Sequence, residues 1–247
     1  MTDKILKNIV ILTGAGISAE SGIPVFRSES GLWEHERIED VCVPEALQRN
    51  PQKVHDFYNK MRRSLVDKKP NDAHLAVAKL QREWPHVSGG NVTLVTQNID
   101  DLHEKAGSVE VIHMHGALLS ARCESCGASW YQNKDTSPGQ PCPKCGRTGG
   151  VRPDIVFFEE MPHDMDLIER ALAKCDLFLA VGTSGVVYPA AGFCRFAKNV
   201  GANCLEFNLD KSAVASDFDS GFYGKASKTL PKFVDALLSG NKVTSLF

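Results

Sequence analysis

The sequence predicts an α/β fold, a parallel sheet wound by helices with a smaller module inserted into it, and three observations carry that prediction. Residues 9–13 are an apolar, β-branched run that ends at Gly14, Gly16 and Ala19, the spacing of a glycine turn between a buried strand and a helix. Short apolar strands then alternate with stretches of helical periodicity along most of the chain. Between residues 122 and 151 the composition changes abruptly to cysteine, glycine, proline and polar residues, which marks the inserted module.

At 247 residues the chain suits one large and one small domain with room for a sizeable core. Hydrophobic residues make up 43% and the net charge is −2, a balance with no general attraction to nucleic acid or to membranes. The apolar runs are only a few residues long, so no membrane span is expected. The first residues lead straight into the first strand without a separate apolar segment and cleavage site, and no signal peptide is read. Outside two Cys-x-x-Cys pairs stand Cys42, Cys175, Cys194 and Cys204, the last three in apolar surroundings where a thiol behaves as a small hydrophobe. A reducing, cytoplasmic setting is the expectation.

Taken in order, residues 9–13 read as a buried parallel strand and the glycine turn as the entry to a helix. Residues 28–40 read as an irregular, mobile polar loop. Residues 44–67 read as one helix, with Val54, Phe57, Met61 and Leu65 forming an apolar stripe and Tyr58 at its edge. A second helix covers about 73–84, capped by Asn71 or Asp72. The strand 91–96 runs into Gln97, Asn98, Ile99, Asp100 and Asp101, beyond the carboxyl end of a strand where doubly wound sheets bind ligands. Residues 109–114 read as a third strand. After the inserted module come a helix over 164–174, a strand over 177–181, the turn Gly182, Thr183, Ser184, a helix over 189–200, a strand over 204–208 and a last helix over 231–239.

The glycine turn outlines a nucleotide cradle, with one piece missing. A dehydrogenase of this layout closes its second strand with an acid about twenty residues on that holds the adenine ribose. Here that interval holds Phe26, Arg27, the turn-like residues 28–31 and Trp33, which do not read as a strand.

Cys123, Cys126, Cys142 and Cys145 form two Cys-x-x-Cys pairs separated by fifteen residues. Four thiolates satisfy tetrahedral Zn²⁺ with no open position, so a structural zinc is predicted. Gly127 and Gly146 follow each pair where the chain must bend around the metal. A zinc ribbon also suits nucleic-acid binding, but Arg122, Lys134, Lys144 and Arg147 form no dense basic stripe and no aromatic platform accompanies them. His113 and His115, two apart on a strand, face the same side. His115 sits beside a glycine at the strand end, where a base with a near-neutral pKa is useful. Asn98 and Asp100 read either as turn formers or as ligand contacts.

Together these segments closely resemble the sirtuins, the NAD-dependent protein lysine deacylases. The resemblance is carried by Gly14-Ala-Gly-Ile-Ser-Ala-Glu-Ser-Gly-Ile-Pro with Phe26-Arg27, Gly31-Leu-Trp33, Thr96-Gln-Asn-Ile-Asp100, His115-Gly116 and the four cysteines. Arg152-Pro153, Gly182-Thr-Ser184, Asn208 and Gly224-Lys-Ala226 complete it, in family order over nearly the whole chain. Within the family it looks most like the bacterial class III branch, from Gly31-Leu-Trp33, His113-Met-His115, Tyr188-Pro-Ala-Ala-Gly-Phe193 and Phe57-Tyr-Asn59. The resemblance implies a Rossmann-like domain made of residues 1–34, 76–118 and 153–247. It implies a small domain made of a helical insertion, 35–75, and the zinc ribbon, 119–152, with acyl-lysine proteins or peptides entering the cleft between the two.

By the same resemblance, NAD is the cosubstrate. Gly14, Ala15, Gly16, Ser18, Glu20, Phe26, Arg27 and Trp33 would hold the pyrophosphate and form the cofactor loop. Gln97, Asn98, Ile99 and Asp100 would line the ribose and nicotinamide pocket. Gly182, Thr183, Ser184, Asn208, Leu209, Asp210 and Ala226 would meet the adenosine half, which accounts for the missing ribose acid. The acyl oxygen would attack the nicotinamide ribose carbon, and His115 would act as general base on a ribose hydroxyl. Free lysine, nicotinamide and O-acyl-ADP-ribose would leave. Tyr58, Met61, Val156, Phe158, Glu159 and Glu160 would contact the acyl-lysine substrate. No nucleic acid or membrane partner and a monomeric state are expected.

Two departures from the family pattern bear on specificity. Glu159 stands before Glu160 where members usually have glycine. Met61 stands three residues after Tyr58, where the class III branch has an arginine that binds succinyl- or malonyl-lysine through a charge-assisted contact. Arg62 falls beside the stripe rather than on it, so a deacetylase weak on succinyl- and malonyl-lysine is expected. The alternatives are a desuccinylase using Tyr58 and Arg62, or a protein mono-ADP-ribosyltransferase. An NAD-binding oxidoreductase and a zinc-ribbon nucleic-acid binder are the rivals from other classes.

Overall fold

The structure, a computed structural model, describes residues 6–25, 32–33 and 36–240, with Leu32 and Trp33 described by backbone alone. The chain begins with β1 (Asn8–Thr13) and the single turn α1 (Ala15–Ser18). A short antiparallel pair, β2 (Leu32–Trp33) and β3 (Glu36–Arg37), leads into α2 (Ile38–Val41), α3 (Pro44–Arg49) and α4 (Pro51–Ser64). Next come α5 (Asp72–Ser88), β4 (Asn91–Thr96), α6 (Leu102–Lys105) and β5 (Ile112–His113). The inserted module holds β6 (Gly116–Cys123), β7 (Ser129–Tyr131) and β8 (Val151–Ile155). The chain returns through α7 (Met165–Leu172), β9 (Leu177–Val181), α8 (Phe193–Asn199), β10 (Asn203–Asn208), β11 (Ser220–Tyr223) and α9 (Ala226–Leu238).

Six parallel strands form the large sheet in the order β11-β10-β9-β1-β4-β5. Both of its faces are covered. Ile9 and Ile11 point into one core with Leu94, Leu179, Leu230 and Phe233, while Val10 and Leu12 point into the other with Phe178, Ile168, Phe193 and Ala197. That is why β9 is apolar at every position and β1 at its four middle ones, instead of alternating. β1 is flanked by β4, which follows it in the chain, and by β9, which arrives from the far side of the inserted module. The crevice beyond their carboxyl ends is therefore the topological switch point of the sheet. The small antiparallel sheet β7-β6-β8 and helices α2 to α4 share a separate core built from Val41, Val54, Phe57, Tyr58, Leu118, Ile155 and Phe157.

Several expected elements differ. The helix expected over 44–67 is two helices, because Pro51 at the first position of α4 cannot donate into α3 and Asn50 caps the new start by accepting from the Lys53 N–H (3.1 Å). Tyr58 lies at the centre of the buried face rather than its edge. α5 starts one residue earlier than expected and runs on to Ser88, with Asn71 as its cap, accepting from the Ala73 N–H. The strand expected over 109–114 shrinks to two residues beside the left-handed Glu110 (φ 52°). The stretch 28–40 is partly regular, containing β2, β3 and the start of α2; residues 28–31, 34 and 35 lie outside the described set. The helix expected from Pro189 begins at Phe193 after a 3-10 turn, and α9 starts five residues before Pro231, which the helix tolerates within it.

Candidate functional site

The β1–α1 turn is shaped by its neighbour. The Gly14 N–H donates to the Val181 carbonyl (3.0 Å) and the Gly16 N–H to the Gly182 carbonyl (2.8 Å). A Cβ on Gly14 would stand 2.8 Å from the Gly182 oxygen, one on Gly16 2.7 Å from the Gly182 Cα, and one on Gly182 2.3 Å from the Ile17 nitrogen. Gly182 also has φ 62°. Three glycines at the expected positions thus let two loops pack backbone on backbone, while leaving the α1 turn open toward the crevice. The helix that the turn opens is one turn long and passes into a 3-10 turn, Ala19–Ser21, that ends through the left-handed Gly22.

Around this turn the residues after β4 are locked in place. Gln97 donates its N–H to the Thr13 carbonyl (2.9 Å) and its amide to the Thr183 hydroxyl (2.9 Å). The Asn98 amide donates to the Gly14 carbonyl and to the Ser18 hydroxyl, both at 3.2 Å. The Ser18 hydroxyl in turn donates to one Asp100 oxygen (2.9 Å), and the Leu102 N–H donates to the other (3.1 Å). Burial raises the Asp100 pKa, and those two donors oppose it.

The two histidines that looked alike in sequence part company here. His113 has an acceptor at each ring nitrogen, the Asn98 carbonyl (3.0 Å) and the Glu104 carboxylate (2.7 Å). Burial disfavours its charge, but these partners outweigh that and raise its pKa. Among the described residues His115 has one such partner, the Gln97 carbonyl at 3.1 Å from Nδ1. Assigning the proton to Nδ1 leaves Nε2 as an unprotonated acceptor. Burial lowers the His115 pKa; the Gln97 carbonyl works against this, and nearby His163 adds to it. A neutral imidazole with one free nitrogen is the state a general base requires.

These groups share one cavity of about 580 Å³. Of the expected cofactor residues it is lined by Gly14, Ala15, Ser18, Gln97, Asn98, Ile99, Asp100, Gly182, Thr183 and Ser184, with His115 among them. Met61, Val156, Phe158, Glu159 and Glu160 line it as well. Other expected residues stand off its wall. The Glu20 carboxylate accepts from the Ser227 N–H (3.1 Å) and hydroxyl (2.9 Å), so it braces the first turn of α9, where Ala226 is buried. Asn208 donates to the Thr183 carbonyl (3.0 Å) and supports that loop from behind; Leu209 follows it, exposed, and then Asp210. Phe26 and Arg27 lie outside the described residues, as does the Trp33 side chain.

Helix α4 sorts its residues by face. Phe57, Lys60, Met61 and Ser64 line the cavity, whereas Tyr58 and Arg62 do not. Tyr58 is fully buried, with Phe57 edge-on at 5.1 Å, Phe157 stacked at 6.0 Å and its hydroxyl facing the Cys42 thiol. Arg62 is 2% exposed and donates to the Leu118 carbonyl (Nε, 2.7 Å) and to Asn59 (Nη1, 2.6 Å), while its buried Nη2 has no hydrogen-bond partner among the described residues. Glu160 lines the cavity but is held by Arg152 (2.7 Å) and Arg122 (2.8 Å) and accepts from the Phe157 N–H (2.8 Å). Burial pushes its pKa up, and the arginine and N–H contacts more than reverse that. Sequence reasoning missed Cys42, Lys60, Leu65, Lys68 and Val186 to Tyr188 on the wall. The spacing of Lys60 and Ser64, four apart beside Met61, was a readable sign of a shared face.

In the inserted module, the four cysteine sulfurs lie within 4.8 Å of one another, with Cys123 and Cys145 3.9 Å apart and Cys126 and Cys142 3.8 Å apart. Zn–S bonds of ~2.3 Å set a tetrahedral edge of about 3.8 Å, so the donor set fits one structural zinc. Gly127 and Gly146, both at φ 72°, form the expected bends.

The comparisons with known proteins agree with this architecture. A model of the Sir2 family matches residues 14–189. The chain is 51% identical over 235 residues to an NAD-dependent protein deacylase of Vibrio cholerae, covering 94% of each. Among solved structures it is similar to a mutant Sir2 homologue in complex with ADP-ribose, at TM-score 0.85 and 37% identity, covering 97% of this chain and 98% of that one. A Sir2 homologue in complex with NAD gives TM-score 0.83 and 38% identity, covering 94% and 90%. The chain belongs to the Sir2 family.

Proposed function

We propose that this member of the Sir2 family, an NAD-dependent protein deacylase, removes acetyl and other uncharged acyl groups from lysine and works poorly on succinyl- and malonyl-lysine. The observation that carries the finer part is the wall of α4: the side chain it offers at the third position after Tyr58 is Met61, which has no charge and no donor. Arg62, the candidate substitute, is buried against Leu118 and Asn59 and is absent from that wall, which speaks against the desuccinylase alternative. Losing a charge-assisted contact to an acyl carboxylate costs about 2 to 5 kcal/mol.

The residues at the carboxyl ends of β1, β4 and β9 fit NAD, because the α1 turn is open to the crevice and Ser18, Asn98 and Asp100 are held ready by one another. NAD supplies an electrophilic ribose carbon for the acyl oxygen, with nicotinamide as leaving group. His115 takes the proton of a ribose hydroxyl on Nε2, its ring held by the Gln97 carbonyl. The Gln97 amide fixes the Thr183 loop and the Asn98 amide the β1–α1 turn, two walls of the cavity. The zinc module holds β6 and β8, and with them Val156, whose N–H donates to the His115 carbonyl (3.0 Å). A solved complex of a Sir2 protein with a deacetylated p53 peptide, similar to this chain at TM-score 0.76 and 27% identity, supports a peptide substrate.

Paired peptides differing only in acetyl- or succinyl-lysine, incubated with and without NAD and followed by mass, test this reading. The expected result is NAD-dependent loss of acetyl with at least tenfold slower loss of succinyl, from about 1.4 kcal/mol or more of missing contact. Efficient succinyl removal overturns the Met61 argument. A gain of ADP-ribose mass on protein with no acyl loss from either peptide favours the transferase alternative.

A further inference from the structure

The segment after β8 makes a tight turn at the edge of the cavity. The Glu160 N–H donates to the Phe157 carbonyl (3.1 Å), and Glu159, third in this turn, has φ 74°. That position of a turn calls for a left-handed backbone and ordinarily for glycine or asparagine. A glutamate there is strained, and the turn holds because its neighbours clamp it: Glu160 is bound to Arg152 and Arg122, and the Phe158 N–H donates to the Cys42 carbonyl (3.0 Å). A strained residue that packing does not require, placed on the wall of a site, points to a use in that site.

Charge narrows the use. Among the described residues, three carboxylates line the cavity. Asp100 is bonded to Ser18 and to the Leu102 N–H, and Glu160 to two arginines. Glu159 is exposed and, among the described residues, no ion pair or hydrogen bond engages its side chain. Beside it Phe158 is exposed, and Val186 and Tyr188 expose apolar surface on the same cavity, a strip that suits an extended peptide.

We propose that Glu159 is a specificity-determining residue that selects acyl-lysine substrates with an arginine or lysine within two positions of the acyl-lysine. The inference rests on the deacylase reading and deepens it by naming the substrate chemistry at the entrance. Lys60 is an exposed cation on the α4 part of the wall, so a preference on either flank is attributed to Glu159 only where it responds to substitution at position 159.

The test uses acetyl-lysine peptides identical except for one Arg, Ala or Glu placed one or two positions before or after the acyl-lysine, with kcat/KM measured at saturating NAD. The wild-type protein should favour Arg over Ala on at least one flank by about two- to fivefold, the size of an exposed ion pair. The ratio should shrink towards one near ~1 M salt, where the Debye length is ~3 Å. Glu159→Gln should abolish the preference, and Glu159→Lys should invert it in favour of the Glu peptide, which loss of turn geometry alone does not do. Wild-type ratios near one, or ratios unchanged in both variants while the Ala peptide is turned over, overturn the proposal and leave the deacylase reading standing. No NAD-dependent loss of acetyl from any peptide overturns the deacylase reading, and the proposal with it.

Discussion

At the sheet end of the cavity, Gly14, Gly16 and Gly182 meet within distances that exclude a methyl group, and Ser18, Gln97, Asn98 and Asp100 are bonded to one another and to those loops. At the helix end, Lys60 and Met61 on α4 and Glu159 on the turn after β8 present side chains that no hydrogen bond among the described residues fixes. One end is built from backbone approach and interlocked donors, so a change in any member disturbs the others. The other is a wall of replaceable side chains on a helix and a clamped turn, so specificity can change there without rebuilding the fold. Under the proposed function, chemistry and selectivity are thereby separated along a single cavity.

The largest expected effect breaks the sheet end. His115→Ala should lower turnover about 10³-fold, within the range for a general base, while the far-UV spectrum, melting temperature and one zinc per chain stay as in the parent. A tenfold loss or less would remove His115 from the role. A smaller effect sharpens the helix end. Met61→Arg should raise kcat/KM on succinyl-lysine peptides about 30-fold, the equivalent of ~2 kcal/mol of regained contact, and lower the rate on acetyl-lysine only modestly. If succinyl turnover does not move, the wall of α4 does not set acyl choice.

The same division explains what was legible in the sequence. β1, β4 and β9 match their expected spans closely because strands covered on both faces are mostly apolar, β-branched runs bounded by turn residues. The zinc ligands were legible because their spacing is itself the geometry. β8 was not, since Arg152, Pro153 and Asp154 are all buried in it and a buried arginine pairs with Glu160, a contact no periodicity announces. The face of α4 was half legible: the stripe of Val54, Phe57 and Leu65 is buried as expected, but burial of Tyr58 and Arg62 depends on β6 and on the Thr136 loop, which the chain supplies only some sixty to eighty residues later. The bracing contact of Glu20 was hidden for the same reason: a carboxylate beside a glycine turn looks like a ligand contact, whereas its partner Ser227 lies at the far end of the sequence.

The smallest expected effect concerns protons. In the proposed mechanism His115 acts while neutral; burial, reinforced by His163 and opposed by the Gln97 carbonyl, holds its pKa below the ordinary 6.5. Protonation fills Nε2 and removes the base, so the acid limb of kcat/KM, which reports the free enzyme, should fall below pH 6.5. His163 bears on this from behind: its backbone N–H donates to the Met114 carbonyl (2.9 Å) and its ring stands 3.3 Å from the Asp154 carboxylate, which Ser120 (3.0 Å) and Ser129 (2.5 Å) also contact. A positive charge on His163 disfavours one on His115, so His163→Gln should move the acid limb to higher pH by less than about one unit. His113, already bonded at both nitrogens, should contribute nothing to that limb, because its raised pKa describes a cation held by Glu104 and not a base facing the cavity. An acid limb above 6.5 in the parent, or one that His163→Gln leaves in place, would show that the neutral state of His115 is not set by the burial and charge described around it.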